Sequence, residues 1–366
     1  MAYLVFNEWL FIWSLSITIL THKLCIKHFT FSMSALTMHD AQSHLQTVMA
    51  DLQANVGKIT RVGIILLKCA AKLFFIVLIN SNGWIMEPMV VMAARAAQTV
   101  GSEILKAHQN RHKLDLQIES KGIDGPVTRL DRYIEELTIA TLKKSYPKHS
   151  FLGEEFGLQE GQGNDADWCW IIDPLDGTVN FIQGYPHFCV SIAVQHKGVT
   201  QHGVIYDPVK DEMFSASRGR GALLRDVSGT QRRIRMTPKD SLQDTFLAVG
   251  YPYATMRNGE VVSYAEQHFN TLLAVTKAGA QIRRGGSAAL DLAYVAAGRF
   301  DGYFELGLKP WDLAAGELIV TEAGGTVVDA KGGSDSLNNG QIIATSMKLL
   351  KPLLQTIVPA WGDAVR

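Results

Sequence analysis

Residues 168–172 (WCWII) are apolar without a break and run directly into Asp173. A half-buried strand alternates apolar and polar side chains. An unbroken apolar run of this length reads instead as a strand covered on both faces. Such a strand demands layers of structure above and below it, and a chain of 366 residues is long enough to supply them. The run leads into Asp173-Pro174-Leu175-Asp176-Gly177-Thr178, so two carboxylates follow a buried element in quick succession.

The flanking pattern fills in the layers. Val90, Ala93, Ala94, Ala97, Val100, Ile104 and Leu105 recur at helical spacing and predict a helix from about 88 to 108. Residues 122–126 (GIDGP) carry turn chemistry. Thr128 opens a second helix with Leu130, Ile134, Leu137 and Leu142 on one face, stopped at Ser145-Tyr146-Pro147. Phe151-Leu152 predicts a short strand before Gly153-Glu154-Glu155. From 188 to 217, Val190, Ile192 and Val194 alternate with small or polar residues, and Val204-Ile205, an Asp207-Pro208 turn and Met213-Phe214 follow. That is an antiparallel meander. Helices are predicted over 260–278, 287–298 with Gly298 as terminator, 312–323 and 347–358; strands are predicted over 301–305, 326–328 and 342–344. Helices and sheets interleave, which points to a layered α/β or α+β sandwich.

Residues 1–85 read differently. They hold three acids (Glu8, Asp40, Asp51) and six bases (Lys23, Lys27, Lys58, Arg61, Lys68, Lys72); of the chain's 35 acids and 35 bases, residues 86–366 keep 32 and 29. Residues 3–20 are apolar but interrupted by Asn7 and Glu8, and residues 62–79 reach spanning length but carry Lys68 and Lys72. A lysine near a bilayer centre costs about 3 kcal/mol, so two make a poor span. Neither stretch has the basic start and small-residue cleavage site of a signal peptide. Three readings are open: a membrane anchor, an extra hydrophobic module, or upstream sequence outside a working protein that starts at Met86 or Met89. The third is favoured, because the regular amphipathic pattern begins just after Met86. The catalytic fold is then expected over 86–366.

The chain as a whole balances to zero net charge, so nothing global attracts nucleic acid and no DNA partner is expected. Cys25, Cys69, Cys169 and Cys189 form no C-x-x-C pair, and they read as reduced thiols of a cytoplasmic protein.

Three segments place acids beside apolar runs: Glu154-Glu155 after Phe151-Leu152, Asp173 and Asp176 after 168–172, and Asp312 at the start of a helix. Taken singly, each fits a turn, a helix cap or a solvated surface. Taken together they fit a metal site better. The Leu175 carbonyl between two carboxylates adds a hard oxygen, and hard oxygen clusters suit Mg²⁺. Gly177 allows close approach to an anion, and Gly177-Thr178 would open a helix whose first amides face a phosphate.

Gly153-Glu154-Glu155, Trp170-Ile171-Ile172-Asp173-Pro174-Leu175-Asp176-Gly177-Thr178 with Asn180-Phe181, Trp311-Asp312-Leu313-Ala314-Ala315-Gly316 and Thr321-Glu322-Ala323-Gly324-Gly325 resemble, in order and spacing, the signatures of the inositol monophosphatase family. The resemblance runs from about Met86 to the end. Residues 286–298 (GSAALDLAYVAAG) are particularly similar to the bacterial extragenic-suppressor type. The resemblance implies the layered α-β-α-β-α sandwich shared with fructose bisphosphatases. It implies a Mg²⁺-dependent phosphomonoesterase that hydrolyses myo-inositol monophosphate with a metal-activated water. Glu154, Asp173, the Leu175 carbonyl and Thr178 would hold one Mg²⁺; Asp173, Asp176 and Asp312 would hold a second; Glu155 would lie near a weaker third. Glu154 and Thr178 would act on the water, with Asp131 supporting Thr178 and Lys121 nearby. Gly177 and Thr178, with Asp176 and Asp312, would bind the phosphate end of the substrate. Gly286, Ser287 and Ala288 would line the sugar-like ring, and Glu305 would bind a hydroxyl. Val179 stands where many members have a second threonine, a position that is not a ligand.

The resemblance leaves a sugar bisphosphatase or a nucleotide 3′-phosphatase as alternatives. It also implies a homodimer and, from the bacterial relatives, association with RNA polymerase and Nus-type factors in antitermination and ribosomal RNA maturation. Arg218-Gly219-Arg220-Gly221 reads as a hairpin tip rather than a phosphate loop, and Arg232, Arg233 and Arg235 as a solvated cluster. His187, His196 and His202 lack partners at ligand spacing and read as core or surface residues. Arg283-Arg284 is structural or a subunit contact. The favoured reading of residues 1–85 predicts a native mass well below 40.3 kDa by mass spectrometry; the full 40.3 kDa would contradict it.

Overall fold

The acid-bearing strand expected from the sequence is present and longer than expected. In the computed structural model, which describes residues 87–113, 118–120, 126–250, 255–257 and 260–362, it runs over Trp168–Asp176. The readings of residues 1–85, Lys121 and most of the 122–126 turn lie outside the described residues.

Helices α1 (Pro88–Asn110) and α2 (Arg129–Lys143) come first. An eight-stranded sheet follows, built from β1 (Ser150–Gly153), β2 (Gly157–Gln159), β3 (Trp168–Asp176), β4 (Cys189–His196), β5 (Val199–Asp207), β6 (Glu212–Ser217), β7 (Gly221–Arg225) and β8 (Gln231–Ile234). Its order is β8-β7-β6-β5-β4-β3-β1-β2, and the β1–β3 pair is its parallel one. Helix α3 (Thr178–Gln183) hangs on the end of β3. The second sheet has β9 (Phe246–Val249), β10 (Gln281–Arg283), β11 (Gly302–Glu305), β12 (Thr326–Val328) and β13 (Ile342–Thr345), in the order β10-β9-β11-β13-β12. Helices α4 (Ala265–Lys277), α5 (Ala288–Ala296), α6 (Pro310–Glu322), α7 (Ser336–Asn339) and α8 (Met347–Trp361) complete the list.

Side-chain alternation on the strands builds the layers. Trp170 and Ile172 of β3 point into a core shared with Val100 and Ile104 of α1 and Ile134 and Leu142 of α2. Ile171 points the other way, into a core with Leu292 of α5 and Leu313 and Ile319 of α6. That second core reaches Tyr303 and Ile342 on the near face of the second sheet. Phe304 and Ile343, on its far face, join Val275 of α4 and Leu353 and Ile357 of α8. The order of layers is therefore α-β-α-β-α. Each fully buried large apolar side chain contributes about 1.5–3 kcal/mol, and a register slip would drag Asp173 into apolar surroundings.

Several boundaries differ from the sequence reading. Strand β3 does not stop at 172: it pairs with β4 through Asp173 and again at Asp176, with an irregularity between them. Pro174 has no N–H to give the ladder, so the chain bulges there and keeps both acids on the strand. Residues 260–262 form a strand (Glu260–Val262) paired with Thr255–Arg257, and helix α4 begins only at Ala265. Strand β9 is a four-residue apolar run with no readable period, and the sequence reading did not see it. The 218–221 segment is the tip between β6 and β7, and the Gly219 and Gly221 amides both donate to the Glu322 carboxylate at 2.7 Å. Its anion is thus one of the protein's own. Among the described residues, no helix is long and apolar enough to cross a membrane.

Helix α6 carries Asp312, and its seat on the first sheet depends on a close approach. A Cβ at Gly203 of β5 would lie 2.9 Å from the Ala315 carbonyl oxygen and 3.0 Å from its Cα, atoms that cannot rotate away. Gly203→Val should cost about 1–3 kcal/mol of stability, read as a lower Tm. An unchanged Tm would show that α6 does not sit this tightly.

Candidate active site

The acidic cluster is assembled from three elements. Asp173 and Asp176 come from the bulged end of β3, and Asp312 from the first turn of α6. One carboxylate oxygen from each lies within 4.8 Å of the others. Asp173 and Asp176 are buried and Asp312 half-buried.

Each carboxylate is held by local donors. The Leu175 N–H donates to Asp173 Oδ1 at 3.0 Å, and the Lys309 N–H donates to Asp312 Oδ2 at 2.7 Å. Asp176 Oδ2 accepts from the Ser287 hydroxyl at 2.6 Å and the Ala289 N–H at 2.8 Å. These bonds do not neutralise the site. Burial pushes the Asp173 carboxyl well above the usual range, and the charges of Glu154, Asp176 and Asp312 push it further. Asp312 is raised the same way, by burial and then by Asp176. Asp176 is raised by burial, against the bonds from Ser287 and Ala289. Buried like charges drawn together are what a site for a divalent metal ion looks like. The hard, all-oxygen donor set fits Mg²⁺ or a similar ion.

Beside the cluster, the Thr178 hydroxyl lies 2.9 Å from Asp131 Oδ1 and 3.0 Å from the Leu175 carbonyl. It has one proton and donates to one of them at a time. Asp131 is buried in the first turn of α2, where its Oδ2 accepts from the Thr128 N–H at 2.9 Å and the Thr128 hydroxyl at 2.5 Å. Glu154 lies near enough for its charge to raise both Asp173 and Asp312. Its loop is anchored by Glu135, fully buried on α2, which accepts from the Glu155 and Phe156 N–H groups at 2.8 and 3.1 Å. Gly153 leaves room for that carboxylate, since a Cβ there would overlap it.

On the other side, Gly286, Ser287 and Ala288 lead into α5. Gly286 has φ +81°, which a glycine adopts without strain. The Asn180 side-chain amide ties this loop to α3: its Nδ2 lies 2.7 Å from the His187 carbonyl and 3.0 Å from the Gly285 carbonyl. Glu305 ends β11, bonded by the Tyr303 hydroxyl, and burial pushes its carboxyl up to about 8. Gly250 lies against it with no room for a side chain.

Of the residues singled out in the sequence, Asp173, Asp176 and Asp312 come together directly, with Glu154 beside them. Thr178, Asp131 and the Leu175 carbonyl form one hydrogen-bonded group. Ser287 and the loop into α5 join the cluster through Asp176. Glu305 lies within electrostatic reach of Asp176 and Asp312. Lys121 lies outside the described residues. The sequence reading gave no role to Glu135, Asn180, Gly250 or Tyr303. The signal for Glu135 was a charged residue next to Ile134 on the apolar side of a helix.

The inositol monophosphatase family model matches residues 85–361. The chain is 46% identical over 275 residues to the Nus factor SuhB of Pseudomonas aeruginosa, covering 75% of this chain and 97% of that protein. Among solved structures, the extragenic suppressor protein suhB of Bartonella henselae is similar at 37% identity and a TM-score of 0.67, covering 76% of this chain and all of that one. An inositol monophosphatase from Anabaena is similar at 32% identity and a TM-score of 0.60, over 74% of this chain and 95% of that one. The chain belongs to the inositol monophosphatase family.

Proposed function

We propose that this protein is a Mg²⁺-dependent phosphomonoesterase whose substrate is a myo-inositol monophosphate. The observation that carries the reading is the convergence of Asp173, Asp176 and Asp312 at the N-terminal end of α3, next to the Thr178–Asp131 pair. Asp173, Asp176, Asp312, Glu154 and the Leu175 carbonyl would hold the metal. Bound Mg²⁺ supplies the positive charge that offsets phosphate and leaving-oxygen charge and makes water acidic enough to attack.

The remaining work falls to the chain's own groups. The Gly177 and Thr178 amides open a helix and have no acceptors within it, so they suit phosphate oxygens. With its proton committed to Asp131, the Thr178 hydroxyl accepts a hydrogen bond from the attacking water and aims its lone pair at phosphorus. Glu154 takes the water's proton, which finally leaves on the inositol oxygen, so a phosphomonoester and water become an alcohol and phosphate. Lys121 keeps the neighbouring role that the resemblance implies. Glu305 and the loop of Gly286, Ser287 and Ala288 orient the polyol ring.

The relatives support a second role. Proteins 46% identical over nearly their whole length bear the name Nus factor, and we propose that this chain likewise associates with RNA polymerase and Nus factors, as a cytoplasmic homodimer.

Asp176→Asn should lower kcat by about a hundredfold or more with saturating Mg²⁺, since changes one shell further out already cost 10–100-fold. It should leave the fold, and co-purification with RNA polymerase, intact. Near-normal turnover would refute the phosphatase site, and a preference for fructose bisphosphate or adenosine bisphosphate over inositol phosphate would redirect the substrate.

A pH dependence follows from the raised carboxyls. Groups with folded values above their unfolded ones stabilise the metal-free fold at low pH and lose that contribution as pH rises through the folded values, a window that Glu305 extends to about 8. Metal binding needs Asp173 and Asp312, two of these groups, ionised. The rise in Tm on adding Mg²⁺ to chelator-treated protein should therefore be larger at pH 8 than at pH 6. An equal or smaller rise at pH 8 would contradict the assignment.

A further inference from the structure

Two buried polar atoms outside the metal cluster face each other without a hydrogen-bond partner. They are His187 Nε2 and Asp291 Oδ1, 3.7 Å apart, on side chains 11% and 2% exposed. Leaving both unsatisfied is costly, and a closure of under about 1 Å makes them a hydrogen bond. Gly285 lies between them: a Cβ there would sit 2.6 Å from each atom. Its φ is not positive, so glycine is there for room and not for backbone strain.

The contact joins two parts of the site. His187 lies between α3 and β4, and Asp291 lies in the first turn of α5, directly after the loop of Gly286, Ser287 and Ala288. The Asn180 amide makes a parallel tie, from α3 to the His187 and Gly285 carbonyls. Tyr294 backs the imidazole edge-on at 5.9 Å. Burial pushes the Asp291 carboxyl up to about 6, and His187 opposes the rise, the sign expected of a working pair.

We propose that His187 and Asp291 are a positioning pair that pins the Gly285–Ser287 loop to the segment after α3, and so sets where the polyol end of a substrate sits relative to its phosphate. The substrate half of this proposal rests on the phosphomonoesterase reading above. Neither residue touches reacting atoms.

The test compares Asp291→Leu, His187→Phe, the double variant and Gly285→Ala in the full chain, by amide hydrogen exchange and steady-state kinetics. Each single variant should raise exchange at the amides of 286–289 about tenfold or more, with β4 and β5 unchanged. KM should rise about tenfold with kcat at saturating Mg²⁺ within about threefold, and half-saturation by Mg²⁺ should weaken, since Ser287 and Ala289 of the loosened segment hold Asp176. The double variant should be no worse than the worse single, because both remove one contact. Exchange that rises evenly through the domain, or KM effects that multiply in the double, would overturn the pair. If the unmodified protein hydrolyses no phosphomonoester, the phosphatase reading fails by itself; local exchange at 286–289 then still decides whether the pair pins the loop.

Discussion

Three carboxylates drawn within 4.8 Å of one another repel, and the fold has to hold them there. At an effective dielectric constant near 20, each ionised pair at that distance costs about 3 kcal/mol. The anchors are correspondingly stiff. Asp173 and Asp176 extend a strand packed on both faces, with a proline in the bulge. Asp312 caps the first turn of a helix sandwiched between two sheets. Burial, and after it the remaining repulsion, raise the Asp173 and Asp312 carboxyls well above their ordinary values, and a divalent cation would favour the ionised forms.

The same architecture explains why the loop into α5 lies against the acidic cluster. Helices α5 and α6 are the middle layer. One contributes Asp312; the other begins with Ser287 and Ala289, whose hydroxyl and amide hold Asp176. The three clustered acids and the loop into α5 therefore share one core, and disturbance of either reaches the other. Ser287 holds the Asp176 carboxylate itself, whereas Glu135 fixes the chain beside Glu154 through the Glu155 and Phe156 amides.

Much of this was legible from residues alone. The unbroken run 168–172 required two covered faces, and the spacing of Val90 to Leu105 required a helix; both are present. The acids announced themselves because each stands beside an apolar run. What stayed hidden depends on contacts distant in sequence. Strand β9 is too short to have a period, and residues 260–262 merge with a helix pattern until the ribbon partner is known. Gly250 and Gly285 look like ordinary loop glycines until Glu305, His187 and Asp291 fill the space a side chain would take. The bulge at Pro174 follows from proline chemistry, but its consequence, that Asp176 rejoins the ladder, needs β4 in place.

A metal site at these carboxylates is read most directly by crystallography. Crystals grown with Mn²⁺ in place of Mg²⁺ should show anomalous density between Asp173, Asp176 and Asp312, lost in Asp176→Asn. Density elsewhere, or none at saturating Mn²⁺, would contradict the account.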